Sequence, residues 1–387
     1  MTEKKTIYLD YAAATPLDPQ VAQAMKPYWS TDFANAGSLH TPGKKAKQAL
    51  DEARKKIATT LGCNSDEIYF TGGGTESITM AIQGVAQLRQ PKSEIITSAI
   101  EHAAVLENLA VLKQWGRQVT IINPNQQGIV SASEILAAIK PQTTLISLML
   151  ANNEIGTLQP VAEVGKALRT INKQRAAKNL NPVLLHTDAC QAGNYLSLKV
   201  QKLHVDLLSL SGCKLYGPKG TGLLYVKRGL KLQPIIHGGG QERSLKSGTE
   251  NIPGIVGLAT AIALAQSKAA SESKRLTSLR NYFWSEVQKI YPQAHLNGDL
   301  SNRLANNLNI SFIGHEGETL LYKLDKAGVA VSTGSACSET SQEPSHVLKA
   351  LGLSTKLASS SLRFSLGRQT SRNELITAVK ALKTILR

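Results

Sequence analysis

The sequence predicts an α/β fold, in which a large unit built on a mostly parallel sheet precedes a smaller α+β unit. The first observation is an alternation of strand-like and helix-like patterns from about residue 46 to about residue 226. The second is a change beyond residue 257, where long helical patterns precede short strand-like runs. The third is that four apolar runs each end in a chemically distinctive residue or loop.

Periodicity and turn residues predict the individual elements. Residues 46–61 repeat alanine and leucine at helical spacing, which predicts an amphipathic helix. The glycine-rich residues 237–242 predict a loop. Further along the chain the patterns predict two helices, two strands and a terminal helix, at residues 255–270, 273–290, 308–312, 329–332 and 371–386.

These elements divide the chain into two predicted domains. Residues 15–257 form the large domain, and residues 1–14 and 258–387 form the small one, which carries a loop at about 330–343. The chain has 387 residues, of which 42% are hydrophobic and 19% charged, so it is long enough for both cores and shows no sign of disorder.

Four strand-like runs precede the residues that carry chemistry: 67–70 before the glycine-rich loop 71–76, 144–150 before Asn152 and Asn153, 183–185 before Asp188, and 206–210 before Lys214. In open parallel sheets, ligands bind outside the carboxyl ends of the strands, where such loops converge. A phosphate cradle, an amide, a carboxylate and a lysine are the groups required by an aldehyde cofactor with a phosphate and a pyridine ring. The sequence therefore predicts pyridoxal 5'-phosphate as the cofactor.

Each of these residues has a plainer alternative when it is taken alone. The loop 71–76 is also typical of a simple connector, and Asp188 of a turn or helix cap. A lysine after a strand is usually a surface residue, and Lys219 competes with Lys214 for the cofactor aldehyde. Lys219 lies in a Gly/Pro turn, so we expect its side chain to point to solvent. His102, after an apolar run, is either a proton shuttle or a structural histidine.

Cys337 is the candidate nucleophile. Small residues flank it on both sides, which indicates an accessible loop, and the plainer alternative is an incidental surface thiol. Cys63 and Cys190 lie in apolar or structured contexts and are expected to act as small hydrophobic residues. The four cysteines have unrelated spacings, so the sequence predicts no metal site, no disulfide framework and a reducing, cytoplasmic setting.

The formal net charge of +16 is the unusual bulk property. Basic residues are spread along the chain and only 5% of residues are aromatic, so a base-stacking surface and direct nucleic-acid binding are not expected. No apolar run approaches the length of about 20 residues that spans a bilayer, and the first residues lack the apolar region of a secretory signal. We therefore expect no membrane association.

An ordered set of motifs carries a resemblance to a known family. The chain resembles the cysteine desulfurases of the NifS/IscS type, in the class V branch of fold-type I pyridoxal-phosphate enzymes. The similarity runs nearly end to end. Its motifs are Tyr8-Leu9-Asp10-Tyr11-Ala12-Ala13-Ala14-Thr15-Pro16, Glu101-His102, Asn152-Asn153-Glu154-Ile155-Gly156-Thr157, Asp188-Ala189-Cys190-Gln191, Lys214-Leu215-Tyr216-Gly217-Pro218-Lys219-Gly220, Ser247-Gly248-Thr249, Gly334-Ser335-Ala336-Cys337 and Leu362-Arg363-Phe364-Ser365-Leu366-Gly367.

The resemblance implies roles for the cofactor-binding residues. Lys214 would hold the cofactor covalently, and His102 would stack on its ring. Asp188 would meet the ring nitrogen and Gln191 the phenolic oxygen. Thr249 would reach the phosphate from the partner subunit of a homodimer. The full cofactor-binding set is Lys214, His102, Gly74, Thr75, Asn153, Asp188, Gln191, Ser211 and Thr249.

The resemblance also implies the reaction. Cys337, Lys214 and His102 would be catalytic, and Asn153 and Arg363 would hold the substrate, the arginine by a bidentate grip on its carboxylate. L-cysteine would become L-alanine, and its sulfur would pass to Cys337 as a persulfide. A transient acceptor would take that sulfur for iron–sulfur cluster assembly, tRNA thiolation or a related pathway. A lyase or an aminotransferase of the same fold, and a non-catalytic basic protein, remain the alternatives.

Two residues depart from the family pattern. Family members usually have histidine immediately before the cofactor lysine, where this chain has Cys213. The resemblance gives that histidine a part in phosphate binding. Lys246 replaces the usual arginine before Ser247, which keeps the charge but loses the planar fork of the guanidinium.

Overall fold

The computed structural model describes residues 6–334 and 344–387. Its strands are β1 (Ile7–Tyr8), β2 (Ile68–Thr71), β3 (Glu94–Ser98), β4 (Gln118–Ile122), β5 (Thr143–Ser147), β6 (Leu184–Asp188), β7 (Leu207–Ser211), β8 (Gly222–Val226), β9 (Ala294–Asn297), β10 (Asn307–Phe312), β11 (Val329–Ala330) and β12 (Ser361–Ser365). Its helices are α1 (Pro19–Met25), α2 (Pro27–Ser30), α3 (Thr41–Leu61), α4 (Gly74–Gln87), α5 (Ala103–Gln114), α6 (Ala132–Ala137), α7 (Val161–Ala177), α8 (Val200–Leu203), α9 (Ile252–Ile290), α10 (Gly317–Lys326), α11 (His346–Ala350), α12 (Thr355–Ser359) and α13 (Arg372–Ile385).

The largest sheet has seven strands in the order β2-β8-β7-β6-β5-β3-β4. The pairs from β7 to β4 are parallel, whereas β8 runs antiparallel to both of its neighbours. Because β8 alone is reversed, β2, β5, β6 and β7 all direct their carboxyl ends to the same edge of the sheet. The predicted placement of their carboxyl ends at one edge of the sheet is therefore confirmed.

Both faces of the inner strands of this sheet are buried, which explains their near-continuous apolar runs. Ile96, Ile146 and Leu185 belong to a core that includes apolar residues of α3, α7 and the first half of α9. Their neighbours Ile95, Leu145 and Leu184 belong to a second core, formed with α4 and α5. Adjacent residues of each strand thus face opposite helical layers.

A third core lies around the antiparallel sheet β12-β10-β9. It includes residues from the second half of α9, from α10 and from α13. The short strand β1 pairs with β11 beside it, so the amino-terminal residues pack with carboxyl-terminal ones. This arrangement agrees with an α+β unit, and the domain limits at residues 14 and 257 stay a prediction.

Helix α9 corrects one expectation. Two helices were predicted, at 255–270 and 273–290, but the structure has one continuous helix of 39 residues. The polar residues around position 271 do not end it, because their side chains find acceptors. Ser271 Oγ donates to the carbonyl of Lys268, and Ser273 Oγ donates to the carbonyl of Tyr195.

The same helix has the length and hydropathy of a membrane span, although no such segment was expected from the sequence. In its most apolar 18-residue window, 56% is buried inside the protein. Its buried residues contribute to the core of the large sheet and to the core of the small one. Packing between the two cores is therefore sufficient to explain its apolar composition.

Candidate active site

A cavity of about 610 Å³ opens beside the amino end of α4, where β2 and β7 also end. Residues 72–76 of the β2–α4 turn line it together with Ser211 and Cys213. A Cβ atom on Gly74 would lie 2.8 Å from Cys190 Sγ, so only glycine lets α4 begin this close to Cys190. The structure thus brings Gly74, Thr75 and Ser211, three of the predicted cofactor-binding residues, together at one cavity.

The chemistry of this cradle fits a phosphate group. The first N–H groups of an α-helix lack intrahelical acceptors, and the helix dipole adds to their attraction for an anion. Gly74 and Thr75 supply such N–H groups at the cavity, and the Ser211 hydroxyl lies in the same lining. Ser211 Oγ is also 3.2 Å from Cys213 Sγ, so Cys213 occupies the cradle side of the lysine.

Lys214 ends the one-turn helix Gly212–Lys214 that follows β7. A Cβ atom on Gly212 would lie 2.3 Å from Thr221 Oγ1, so the turn requires glycine. The half-buried Lys214 donates a hydrogen bond from Nζ to the carbonyl of Ala13 at 2.5 Å. Lys219 lines the cavity but is exposed, whereas Lys214 is half-buried and held by the amino-terminal stretch, which favours Lys214 as the amine that holds the cofactor.

Asp188 is the last residue of β6, because the strand continues three residues past the predicted end at 185. It is buried, and its Oδ1 accepts a hydrogen bond from the N–H of Cys190 at 2.9 Å. A buried carboxylate held in this way fits the partner that a pyridine nitrogen requires.

His186, two residues earlier, was not singled out in the sequence. Its ring lies between Ser147 Oγ and Ser209 Oγ, each 2.9 Å away, and so ties β5, β6 and β7 together below Asp188. Burial lowers the pKa of His186 to about 4, so the ring is neutral near pH 7. The sequence signal for a buried His186 is its position directly after the apolar, strand-like run 183–185.

His102 is the N-cap residue of α5. Its Nδ1 accepts a hydrogen bond from the N–H of Ala104 at 3.0 Å. This contact requires Nδ1 to be unprotonated, so the ring proton is on Nε2. The cap therefore fixes both the tautomer and the orientation of the ring, which suits a side chain that stacks and transfers a proton.

Glu101 is a titratable group that sequence reasoning named only within a motif. It is fully buried, and its carboxyl group accepts hydrogen bonds from Ser98 Oγ and from the N–H of Met149. Burial is the main reason why the pKa of Glu101 is raised to about 8, and the negative charge of Asp188 raises this pKa further. Near neutral pH, Glu101 is therefore mostly protonated.

The amino-terminal stretch 10–15 connects the parts of the site. The carbonyl of Ala13 accepts from Lys214, and the carbonyl of Ala12 accepts from Gln191 Nε2 at 3.0 Å. Thr15 donates from its N–H and its hydroxyl to the carbonyl of Cys213. The sequence motif at these positions does not reveal that the stretch connects distant loops of the site.

Arg363, in β12, is buried and has three described partners. Its Nη2 is 2.7 Å from Asp10 Oδ1, and its Nη1 donates to the carbonyls of Asn153 and Gly334 at 3.2 Å. Among the described residues, its buried Nε has no hydrogen-bond partner. A buried guanidinium beside Asn153, with an N–H that no described residue accepts, fits the carboxylate of an amino acid. The substrate carboxylate and Asp10 would then both bind Arg363.

Two predicted residues are not joined to this site by the described contacts. Thr249 is exposed and lines a separate small cleft with Lys246 and Gly72, outside the lining of the main cavity. Nearby, Lys246 Nζ lies 4.0 Å from Glu76 Oε1. Cys337 lies outside the described residues, and so does most of the predicted loop 330–343.

Comparisons with known proteins agree with this geometry. The family model for aminotransferase class V matches residues 7–377. A cysteine desulfurase IscS of Dictyoglomus turgidum (strain DSM 6724 / Z-1310) is 46% identical over 384 residues, which cover 99% of this chain and 95% of that protein. A solved NifS-like protein has a TM-score of 0.91 at 35% identity, with 98% of this chain and 99% of that chain covered. The solved structure of SspA in complex with cysteine has a TM-score of 0.78 at 37% identity, covering 93% and 99%.

The sheet topology, the phosphate cradle, Asp188 and Lys214 define a pyridoxal-phosphate enzyme of fold type I. The chain belongs to the class-V aminotransferase family. The predicted fold class, the cofactor and the resemblance to the NifS/IscS type are thereby confirmed. The roles of the individual site residues stay predictions, although the described contacts bring most of them to one edge of the sheet.

Proposed function

We propose that the protein is a cysteine desulfurase that converts L-cysteine to L-alanine and stores the sulfur as a persulfide on Cys337. One observation carries the proposal. Arg363, whose Nε has no partner among the described residues and fits an amino-acid carboxylate, donates from Nη1 to the carbonyl of Gly334, three positions before Cys337 in the chain. The same guanidinium thus serves the substrate site and the base of the segment that bears the thiol.

The residues divide the reaction between them. When bound, pyridoxal phosphate supplies an electron sink that lets the substrate Cα release its proton. Lys214 Nζ is the base that takes this proton, and His102, with its proton on Nε2, is the relay for a second one. Asn153 and Arg363 hold the substrate, while Asp188 and Gln191 orient the ring.

Sulfur transfer balances without an external oxidant or reductant. The thiolate of Cys337 attacks the sulfur of the substrate, so an S–S bond forms while the substrate Cβ–S bond breaks. The electron pair of the broken bond stays on Cβ, which takes a proton and becomes the methyl group of alanine. One cysteine and one enzyme thiol give one alanine and one persulfide.

We propose further that the enzyme works as a homodimer and passes the sulfur to a transient acceptor. Exposed apolar side chains in one stretch support the dimer: Trp29 is 66% exposed, Phe33 75% and Leu39 88%. Thr249 is exposed and outside the cradle of its own chain, as a residue that serves the partner subunit would be. Iron–sulfur scaffolds and tRNA-thiolation enzymes are acceptors of the required chemistry.

A trapping experiment tests the activity. The purified enzyme is mixed with L-cysteine, alanine is quantified, and peptide mass mapping locates the added sulfur. We expect alanine formation and a persulfide on Cys337, with both lost in Cys337→Ser. Continued release of free sulfide by Cys337→Ser would instead indicate a lyase, and a fresh preparation without a visible cofactor band would indicate a non-catalytic protein.

A further inference from the structure

The structure pairs Arg363 with a carboxylate of its own chain. Its Nη2 lies 2.7 Å from Asp10 Oδ1, and the pair is largely buried, with side chains 3% and 17% exposed. Nη1 donates to the carbonyls of Asn153 and Gly334, each at 3.2 Å. Nε, which has no partner among the described residues, shares one edge of the guanidinium with Nη2. A substrate carboxylate that binds this edge therefore meets Asp10 at Nη2.

Backbone hydrogen bonds on both sides of Asp10 fix its position relative to Arg363. Asp10 pairs in a parallel bridge with Ser365, which lies two residues after Arg363 in β12. The N–H of Ser365 donates to the carbonyl of Leu9 at 2.7 Å, and the N–H of Tyr11 donates to the carbonyl of Ser365 at 3.2 Å. None of these bonds uses the carboxylate of Asp10. Its charge can therefore be removed while the stretch stays paired with β12.

The charge of Asp10 acts directly on the affinity of Arg363 for a second carboxylate. Two carboxylates that contact the same nitrogen lie at most about 6 Å apart, because each hydrogen bond is about 3 Å long. In a largely buried site, their repulsion at this distance offsets much of the attraction that the guanidinium exerts. Arg363 paired with Asp10 therefore binds an amino-acid carboxylate more weakly than an unpaired arginine would.

Weaker binding suits the proposed reaction. L-cysteine and L-alanine carry the same carboxylate, so a tighter grip by Arg363 would hold the product as firmly as the substrate. Such uniform binding lowers KM without accelerating the chemical step, and it slows the release of product. A carboxylate beside Arg363 prevents this.

We propose that Asp10 is a positioning residue that acts through Arg363, holding the guanidinium and offsetting its charge so that alanine can leave the site. This inference rests on the proposed function, in which Arg363 holds the substrate carboxylate. Asp10 acts on the binding of the amino acid and not on the transfer of sulfur to Cys337.

Asp10→Asn tests the charge alone, because the amide has nearly the same size and keeps an oxygen that can accept from Arg363. In the full-length holoenzyme we expect L-alanine to bind about tenfold more tightly, followed through the visible cofactor spectrum. KM for L-cysteine should fall by a similar factor, whereas the rate of persulfide formation at saturating L-cysteine should not rise. Asp10→Glu, which keeps the charge, should show no gain in affinity.

L-alaninamide separates this role from a merely structural one. It has the amine of L-alanine but no carboxylate for Arg363 to bind. We therefore expect its affinity to be the same in Asp10→Asn as in the unsubstituted enzyme. A general change in the shape of the site would alter the affinities for both ligands.

Asp18→Asn is the matched control for the loss of a buried ion pair. Asp18 Oδ2 lies 2.9 Å from Arg368 Nη1, and the side chains of Arg368 and Asp18 are 17% and 12% exposed. Neither residue lines the main cavity. We expect both asparagine variants to lower the unfolding temperature, but Asp18→Asn should bind L-alanine as the unsubstituted enzyme does.

Three results would overturn the inference: unchanged or weaker binding of L-alanine in Asp10→Asn, an equal gain in Asp18→Asn, or an equal gain for L-alaninamide. Failure of the proposed function gives a different result, because the unsubstituted enzyme would then place no sulfur on Cys337, whatever its affinity for L-alanine. The two failures are therefore distinguishable in one series of measurements.

Discussion

Among single residues, Cys213 has the clearest consequence for the cofactor. It lines the phosphate cradle and lies 3.2 Å from Ser211 Oγ, at the position before the cofactor lysine. A thiol is a weak hydrogen-bond donor, whereas a protonated imidazole gives a charge-assisted bond to an anion. The cradle of this chain therefore depends more heavily on its helix N-terminus and hydroxyl groups.

We predict that Cys213→His slows the dissociation of pyridoxal phosphate by about tenfold, which corresponds to a gain of about 1–2 kcal/mol from one hydrogen bond to a charged group. The measurement is the decay of the visible cofactor band during dialysis. Cys213→Ser, which adds no charge, is the control and should retain the cofactor about as the unsubstituted chain does. Equal dissociation rates for the histidine and serine variants would contradict the prediction.

Glu101 makes the stability depend on pH. Its pKa is raised from the usual value of 4.5 to about 8, mainly because it is buried. The unfolded chain therefore releases this proton above pH 4.5, whereas the folded chain releases it only near pH 8. The folded state is favoured fully at low pH, and this contribution is lost as pH rises through about 8.

We predict that the free energy of unfolding of the unsubstituted protein falls relative to that of Glu101→Gln as pH rises from about 5 to about 8. The glutamine cannot ionise, so no buried charge at this position lowers the free energy of unfolding of the variant as pH rises. Urea unfolding at several pH values measures the difference. Because both proteins contain His186, whose pKa is lowered to about 4, the comparison cancels its opposite effect at acid pH. A pH-independent difference would refute the assignment.

At the level of helices and strands, the sequence was most informative where burial is most complete. The runs at 67–70 and 206–210 are predictable because strands covered on both faces consist mostly of apolar residues. Strand ends were less predictable: Thr187 and Asp188 are polar but pair with β7, so β6 continues through them. The break expected in α9 fails for a similar reason, since Ser271 and Ser273 find backbone carbonyl acceptors and do not interrupt the helix.

The edge of the large sheet contains a feature that the sequence does not reveal. Glu242, Arg243 and Ser244 have φ values of 48°, 56° and 65°, a left-handed turn without glycine. Each residue without glycine's freedom that adopts this left-handed conformation destabilises the folded state by about 1–2 kcal/mol. Two interactions of Glu242 offset this destabilisation. Its carboxylate forms a bidentate pair with Arg54 at 2.9 and 2.7 Å, and it accepts a hydrogen bond from the N–H of Phe70 on the free edge of β2.

We predict that Glu242→Gln lowers the free energy of unfolding by about 3–5 kcal/mol, because Arg54 is then buried without its counter-charge. The matched control is Asp66→Asn, which breaks the exposed pair with Arg228 at 2.8 Å and should cost at most about 1 kcal/mol. Urea unfolding at neutral pH compares the two. Equal losses would show that the buried pair does not stabilise the left-handed turn.

In the molecule as a whole, the site depends on residues far apart in sequence. Asp10 meets Arg363, and Ala13 meets Lys214, so the amino-terminal stretch joins the two cores at the site. The sequence predicts Gly74, Asp188 and Lys214 as site residues because each lies at or just after the carboxyl end of a strand of the large sheet. It could not predict the contacts of stretch 10–15, since backbone carbonyls carry no signal in the sequence.

Thr249 provides a test of the assembly. It is exposed in the single chain and lies outside the cradle lined by Ser211. If the enzyme is a homodimer in which Thr249 completes the partner's cradle, Thr249→Ala should speed cofactor loss by about tenfold, the cost of one hydrogen bond to a charged group.

In a hybrid dimer of Thr249→Ala with Lys214→Ala, the subunit that keeps Lys214 receives an intact Thr249 from its partner. We therefore expect its cofactor to be retained as in the unsubstituted enzyme, measured by the visible band of tag-purified hybrids. Loss as fast as in the Thr249→Ala homodimer, or a monomer in sedimentation, would contradict an exchange of Thr249 between subunits.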